Sequence, residues 1–379
     1  MWLSAECGPT TPELPARGGT ASHSYIQMDV VCVLSNSEYS ESAEADRAIY
    51  CTEITGRVKF RVPHFNPDSS IKVYNSNQLC EPLQCYFNYD RQLLLFLIDS
   101  EKGVFSSEPN SHVLNQMHLA FGCNDIRFYC SITKESVVVK FWLFGCDDKL
   151  VVSDIDGTIT RSDITGYLQT VLLKKYDYIH DGVVSFYNDL ANLYNLKFVY
   201  LTSRPQSHYL TTSQLLDKAC NSTSDTSGET GRLPGGPLLM NRESTLRASY
   251  REITKDTLVL KKRILSAINE VFRRARSNIG ATKTAAGDIQ PSCTITANYT
   301  PFVYGFGNRE NDAKAYNSIG ISCENIFLVN TSSKIKVYCK SNIVSQQSSN
   351  YDFDSYNDEK LQIYIANNIS NTVNHYTNI

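Results

Sequence analysis

The feature that most constrains the fold is a wholly apolar triplet, Leu150-Val151-Val152, running straight into Ser153-Asp154-Ile155-Asp156-Gly157-Thr158. A strand with no polar side must be covered on both faces, as at the centre of a parallel sheet. Parallel neighbours need long crossovers, usually helical, and the sequence supplies them. Val183, Tyr187, Leu190 and Tyr194 fall at i, i+4, i+7 and i+11, which predicts an amphipathic helix before a strand over 198–201. A second helix is predicted after Asp256-Thr257, with Leu260, Ile264, Ile268, Val271 and Phe272 on one face. Strands over 302–304 and 326–329 follow, with a helix-like stretch between them from about Asn311. Alternation of this kind predicts an open α/β sheet over 146–340, with its functional groups at the carboxyl ends of the strands.

Residues 24–145 have a different character. Short β-branched and aromatic runs over 25–34, 56–62, 71–74, 83–89, 93–98, 125–132 and 137–144 are separated by Asn, Asp, Ser and Gly. They predict a β-sandwich of immunoglobulin-like size, with the sheet order left open. Residues 1–23, rich in Gly, Pro, Ser and Thr, read as a flexible lead. The stretches 219–237 and 277–299 read as loops. Residues 341–379 read as a polar tail, with a hint of a short helix over 360–368.

Apolar residues make up 42% of the 379 and charged residues 20%, which excludes a disordered chain. A net charge of -3 argues against a general polyanion binder. The twelve cysteines form no C-x-x-C pair and no zinc spacing. With no apolar leader, they are expected to be reduced thiols. The longest apolar run, Leu93-Leu94-Leu95-Phe96-Leu97-Ile98, is too short to span a bilayer, so any membrane contact is expected to be peripheral. Arg273-Arg274-Ala275-Arg276 reads either as a contact for anionic lipid or as a solvated helix end.

Four motifs carry the chemistry, each just after an apolar strand or on a predicted helix. Asp154 and Asp156, two residues apart at a strand end, can divide the roles of nucleophile and proton-transfer group. Taken singly, the pair is also an ordinary acidic turn. Leu201-Thr202-Ser203-Arg204 offers a hydroxyl and backbone N–H groups for phosphate oxygens, or simply a turn or cap. Lys261 begins the second amphipathic helix. Alone it reads as a solvated residue, and Lys262 competes with it. Phe306-Gly307-Asn308-Arg309-Glu310-Asn311-Asp312 places an amide oxygen and a carboxylate four residues apart, donors suited to Mg²⁺, or makes a glycine turn with an Asp cap.

In this order the motifs resemble the haloacid dehalogenase superfamily of phosphatases. The stretch from Phe141 through Trp142 and Asp154 to Asp163 looks like the signature of the lipin phosphatidate phosphatases. So do Leu196-Lys197-Phe198-Val199-Tyr200, Gly236-Pro237-Leu238-Leu239, Tyr250-Arg251-Glu252, and 306–312 followed by Ala315-Tyr316. The likeness covers roughly 25–340 and is close from 117 onward. It implies a Rossmann-like catalytic sheet with helices on both faces, preceded by an immunoglobulin-like sandwich. Family members usually begin with an amphipathic membrane-binding helix, and 1–23 shows none. The usual Ser-Ala-Arg of the second motif reads Thr202-Ser203-Arg204, and 277–299 is an insertion.

The resemblance implies magnesium-dependent hydrolysis of phosphatidate to diacylglycerol and phosphate. Asp154 would be the nucleophile and Asp156 the general acid, then the base for hydrolysis of the phosphoenzyme. Thr158, Thr202, Ser203 and Lys261 would hold the phosphoryl group. Asp154, Asp156 through its backbone carbonyl, Asn308 and Asp312 would bind Mg²⁺. The substrate would be reached by transient contact with endoplasmic reticulum or nuclear membrane from the cytoplasm, with no nucleic acid involved. Two other readings stand beside it: a phosphatase for a soluble or protein phosphomonoester, and a module that binds phosphatidate without hydrolysing it.

Overall fold

The computed structural model describes residues 29–35, 48–52, 54–57, 70–75, 78–86, 97–99, 104–107, 111–130, 136–161, 179–218, 231–241, 250–277, 282–283, 289–290, 299–338 and 352–377. The lead over 1–23 and most of the loops at 219–237 and 277–299 lie outside the described residues.

The N-terminal part is built of short strands, as its turn-punctuated pattern predicts. They are β1 (Val30–Leu34), β2 (Ile49–Cys51), β3 (Ile54–Arg57), β4 (Ser70–Asn75), β5 (Gln78–Tyr86), β6 (Leu97–Asp99) and β7 (Val104–Ser107), then β8 (Gly122–Cys130) and β9 (Ser136–Gly145). One short helix, α1 (Ser111–Asn115), was not foreseen. Six strands form a sheet in the order β2-β1-β9-β8-β4-β5, and β3-β7-β6 form a second. β1 runs parallel to β9, and the other described pairings of these sheets are antiparallel.

From β10 (Leu150–Asp154) onward the chain is α/β. The helix α2 (Val183–Tyr194) spans the predicted periodic stretch and leads into β11 (Lys197–Pro205). Helix α3 (Tyr209–Lys218) and strand β12 (Leu238–Asn241) follow, neither marked by strong periodicity. Helix α4 (Tyr250–Ser277) starts earlier than predicted, which moves Lys261 from its first turn to its interior. The two-residue strands β13 (Thr282–Lys283) and β14 (Ile289–Gln290) pair within the insertion. β15 (Phe302–Gly307), α5 (Glu310–Ser318), β16 (Ile326–Val329) and β17 (Ile335–Val337) complete the sheet, and α6 (Glu359–Thr377) ends the described chain.

The sheet order is β12-β11-β10-β15-β16-β17, parallel except for the β16–β17 pair. The chain works outward from β10 to β12, then crosses to β15 on the other side. β10 and β15 are therefore the switch point, where an open α/β sheet leaves a crevice beyond its carboxyl ends. Strand alternation divides β10 between two cores: Val151 packs with α2, α3 and α6, and Leu150 and Val152 pack with α4 and α5. Val31 and Val33 of β1 join the second core, so the N-terminal sheet is continuous with the helix that carries Lys261.

A buried carboxylate fixes that junction. Asp29 accepts from Trp142 Nε1 at 2.9 Å, from the Tyr209 hydroxyl at 2.5 Å and from the Leu238 N–H at 2.9 Å. Burial pushes its carboxyl up to about 6, against the pull of those donors. The arginines of the basic run make contacts within the chain, although Arg273 and Arg274 stay exposed. Arg273 pairs with Glu270, Arg274 lies over the Tyr50 ring, and Arg276 pairs with Asp147 and lies over the Tyr299 ring. Cys32, Cys51, Cys123 and Cys146 are free thiols, but Cys323 is disulfide-bonded, so the expectation of reduced cysteines fails at that position. Among the described residues no helix is long and apolar enough to cross a membrane.

The C-terminal segment is more than a polar tail. The helix hinted at over 360–368 extends to nineteen residues, and Phe353, Tyr356, Leu361 and Ile365 are buried in the first core. An apolar face spread thinly among Asn and Ser residues is easily read as solvated. Asp29→Ala is expected to cost about 3 kcal/mol, because it strands three donors around a desolvated gap. A urea-unfolding midpoint within error of wild type would contradict this.

Candidate active site

Asp154 is the last residue of β10, and the residue is 4% exposed. The chain then turns sharply. Thr158, Ile159 and Thr160 all donate backbone N–H bonds to the Ile155 carbonyl, at 3.3, 3.0 and 3.1 Å. Gly157 sits at φ 84°, a backbone that side chains rarely adopt, which is why glycine follows the two aspartates. The turn brings the Thr158 hydroxyl to 3.4 Å from Asp154 Oδ2.

Lys261 reaches the same carboxylate from α4. Its Nζ donates to Asp154 Oδ1 at 2.5 Å and to Asp312 Oδ1 at 2.7 Å, and the residue is 2% exposed. Lys262 is exposed, so burial decides between the two lysines. Asp312 lies in the first turn of α5, where its Oδ2 accepts from the N–H groups of Asn308 and Arg309 at 3.2 and 3.0 Å. Gly307 makes room for it, since a Cβ there would fall 2.5 Å from the Asp312 Cβ.

Asp156 belongs to a second cluster. The Thr202 hydroxyl donates to its Oδ2 at 2.9 Å, while Arg204 Nε lies 3.0 Å from both oxygens and Nη2 lies 2.6 Å from Oδ1. Thr212 of α3 accepts from Arg204 Nη1 at 3.3 Å. Sequence reasoning missed Arg204 as a site residue, although it stands in the second motif. The signal was its place beside a hydroxyl at a strand end, facing an acidic pair that needs a fork-shaped partner. Of the residues singled out in the sequence, Asp154, Thr158, Lys261 and Asp312 meet in one cluster, and Asp156 and Thr202 meet in the other. Asn308 contributes its backbone amide to the first. Ser203 is half-buried and is not among the residues these contacts bring together.

The electrostatics follow from this arrangement. Burial pushes the Asp154 carboxyl up to about 7; Lys261 pulls it down, and Asp312 and Asp156 push it up. Burial also works to discharge Lys261, but Asp154 and then Asp312 outweigh it and hold the ammonium above its ordinary range. Three carboxylates thus face two cationic side chains, an excess of buried negative charge that a hard cation would offset. The donors are all oxygen, which fits Mg²⁺. Among the described residues no three acidic, His or Cys side chains converge as a ready-made cluster, and the Lys261 ammonium bonds both Asp154 and Asp312.

Residues 105–354 match the family model LNS2 (Lipin/Ned1/Smp2). The chain belongs to this family. It is 31% identical over 224 residues to phosphatidic acid phosphohydrolase 1 of Saccharomyces cerevisiae, covering 59% of this chain and 23% of that protein. It is 30% identical over 227 residues to nuclear elongation and deformation protein 1 of Schizosaccharomyces pombe, covering 60% and 30%. It is 30% identical over 241 residues to human phosphatidate phosphatase LPIN1, covering 62% and 23%. The matched region is therefore under a third of each of these relatives. The family match spans Asp154 and Asp156, Lys261 and the Asn308–Asp312 turn.

Two outcomes follow from the geometry. Lys261→Met leaves two buried carboxylates without their cation and is expected to cost about 3–5 kcal/mol. Added magnesium should then raise the unfolding midpoint of the variant more than that of wild type; an equal rise in both refutes the arrangement. A cation held by the Asp154 carboxylate would bind more weakly as pH falls below about 7, because burial raises that carboxyl to about 7 and the proton competes for it. Titration calorimetry at pH 6 and pH 8 giving the same affinity would contradict it.

Proposed function

We propose that the chain is a magnesium-dependent phosphatidate phosphatase of the haloacid dehalogenase type, hydrolysing phosphatidate to diacylglycerol and phosphate. The observation that carries this reading is the division of the two aspartates. Asp154 is held by Lys261 and Thr158, and Asp156 is turned away into the grip of Thr202 and Arg204. Two identical groups in unlike surroundings can act as nucleophile and proton-transfer group. The names of the yeast and human relatives support the choice of phosphatidate as substrate.

In this reading the Asp154 carboxylate attacks phosphorus in line, and Asp156, once it has left Arg204 and taken up a proton from solvent, delivers that proton to the departing glycerol oxygen of diacylglycerol. Asp156 then takes a proton from the water that hydrolyses the phosphoaspartate, which releases phosphate and restores Asp154. Lys261 offsets the charge on the transferring oxygens, with Thr158, Thr202 and Ser203 as further hydrogen-bond donors. Asp154, the Asp156 backbone carbonyl, Asn308 and Asp312 would hold Mg²⁺, which when bound lessens the repulsion between an anionic nucleophile and an anionic substrate. Arg204 keeps Asp156 from swinging into the same cation site.

The wider organisation is part of the proposal. Strands β1–β9 would form the immunoglobulin-like sandwich ahead of a catalytic domain over 146–340. Contact with endoplasmic reticulum or nuclear membrane would be peripheral. Phosphate release from liposomal phosphatidate is expected to require magnesium and to vanish in Asp154→Asn and Asp156→Asn. Activity at the wild-type level in both variants sinks the assignment. Preference for a soluble phosphomonoester moves the substrate to that class, and binding without turnover leaves a lipid-binding module.

A further inference from the structure

The family match ends at residue 354, and the residues just beyond it touch the nucleophile turn. Phe353 pairs with Ile335 of β17 through two backbone hydrogen bonds of 2.9 and 3.0 Å, which brings the chain back over the first core. Tyr356 is fully buried there, and its hydroxyl donates to the Thr158 carbonyl at 3.1 Å. Its ring lies edge-on to Tyr187 and against Phe186 and Phe306, with centroids 5.8, 5.6 and 6.3 Å away. Asn357 seats the segment over the start of α2. Its amide donates to Asp181 at 3.2 Å, and a Cβ on Gly182 would fall 2.1 Å from its oxygen.

A second set of hydroxyls holds the other end of the turn from the same side. The Tyr187 and Ser153 hydroxyls are 2.8 Å apart, and Ser153 donates to the Asp154 carbonyl at 2.8 Å. The nucleophile turn is therefore clamped at Asp154 by α2 and at Thr158 by the C-terminal segment. Thr158 is the residue whose hydroxyl faces the Asp154 carboxylate. Holding its carbonyl fixes the peptide plane that follows Thr158, and so the backbone from which that hydroxyl is presented.

We propose that Tyr356 is a positioning residue for the nucleophile, acting through the Thr158 carbonyl, and that the segment from Phe353 into α6 is a working part of the active site. The proposal rests on the phosphatase reading for its kinetic consequence and on geometry alone for its structural one. Pre-organisation of a nucleophile shows in turnover rather than in binding, since misplacement affects the reacting geometry.

Tyr356→Phe keeps the ring and removes the hydroxyl. With phosphatidate in detergent micelles and saturating magnesium, kcat is expected to fall about tenfold, with KM changing by less than about twofold. Thr158→Ala should cost much less in the Tyr356→Phe background than in wild type, because the two act in one line. Amide hydrogen exchange at Ile159 and Thr160 should speed up at least about tenfold relative to Phe327 and Leu328 of β16. Unchanged kcat in an active enzyme overturns the proposal. So does an exchange increase spread evenly over the sheet, which would mean simple loss of stability. If wild type releases no phosphate, the phosphatase reading fails and the local exchange measurement still decides the role of Tyr356.

Discussion

The Lys261 ammonium, shared between the Asp154 and Asp312 carboxylates, is the contact on which the rest of this structure depends. It joins the end of β10, the first turn of α5 and the middle of α4 at one buried point. Two carboxylates at that depth repel one another and resist ionisation, and only a cation between them makes the arrangement tolerable. The requirement sets the register of α4 on the sheet, because the ammonium must arrive at the crevice between β10 and β15. It also explains why Lys261, and not its exposed neighbour Lys262, occupies the site.

Around that point the fold supplies rigidity from both faces. On one face α4 and α5 pack with β1 of the N-terminal sheet, and Asp29 ties β1 to β9, α3 and β12. On the other face a dense set of rings from α2, β15 and the C-terminal segment backs the turn that follows Asp154. His180 sits at its edge, donating its backbone N–H to the Ile159 carbonyl at 2.9 Å, with Nδ1 2.8 Å from the Ser333 hydroxyl. Burial holds its imidazole down at about 4, so it stays neutral where an exposed imidazole would begin to charge. The second cluster, Arg204 and Thr202 on Asp156, is a separate unit on β11. Separation of the two aspartates into these units lets residues two apart face different chemistry.

Much of this was legible in the sequence. The apolar triplet before Asp154, the periodicity of α2 and the strand at 326–329 appear where expected, and the strand expected over 302–304 runs on to Gly307. Missed elements have physical reasons. β12 and β17 are edge segments of only four and three residues, apolar but too short to show a period. α1 and α3 are too brief or too weakly patterned, and α6 hides its apolar face among asparagines. The early start of α4 lies in a polar stretch, where periodicity gives no signal.

The sequence by itself determined the order of the four motifs, three at strand ends and one on a helix, because residue type and spacing are local properties. It also determined that the chain has an α/β part and a strand-rich part, since each follows from the periodicity of burial. Only the tertiary structure decided which lysine is buried, that Arg204 grips Asp156, that Asp29 joins the two parts, and that the Tyr356 hydroxyl reaches the Thr158 carbonyl. Each of these is a contact between residues far apart in the chain, and no local pattern records which distant side chain will fill a given desolvated gap.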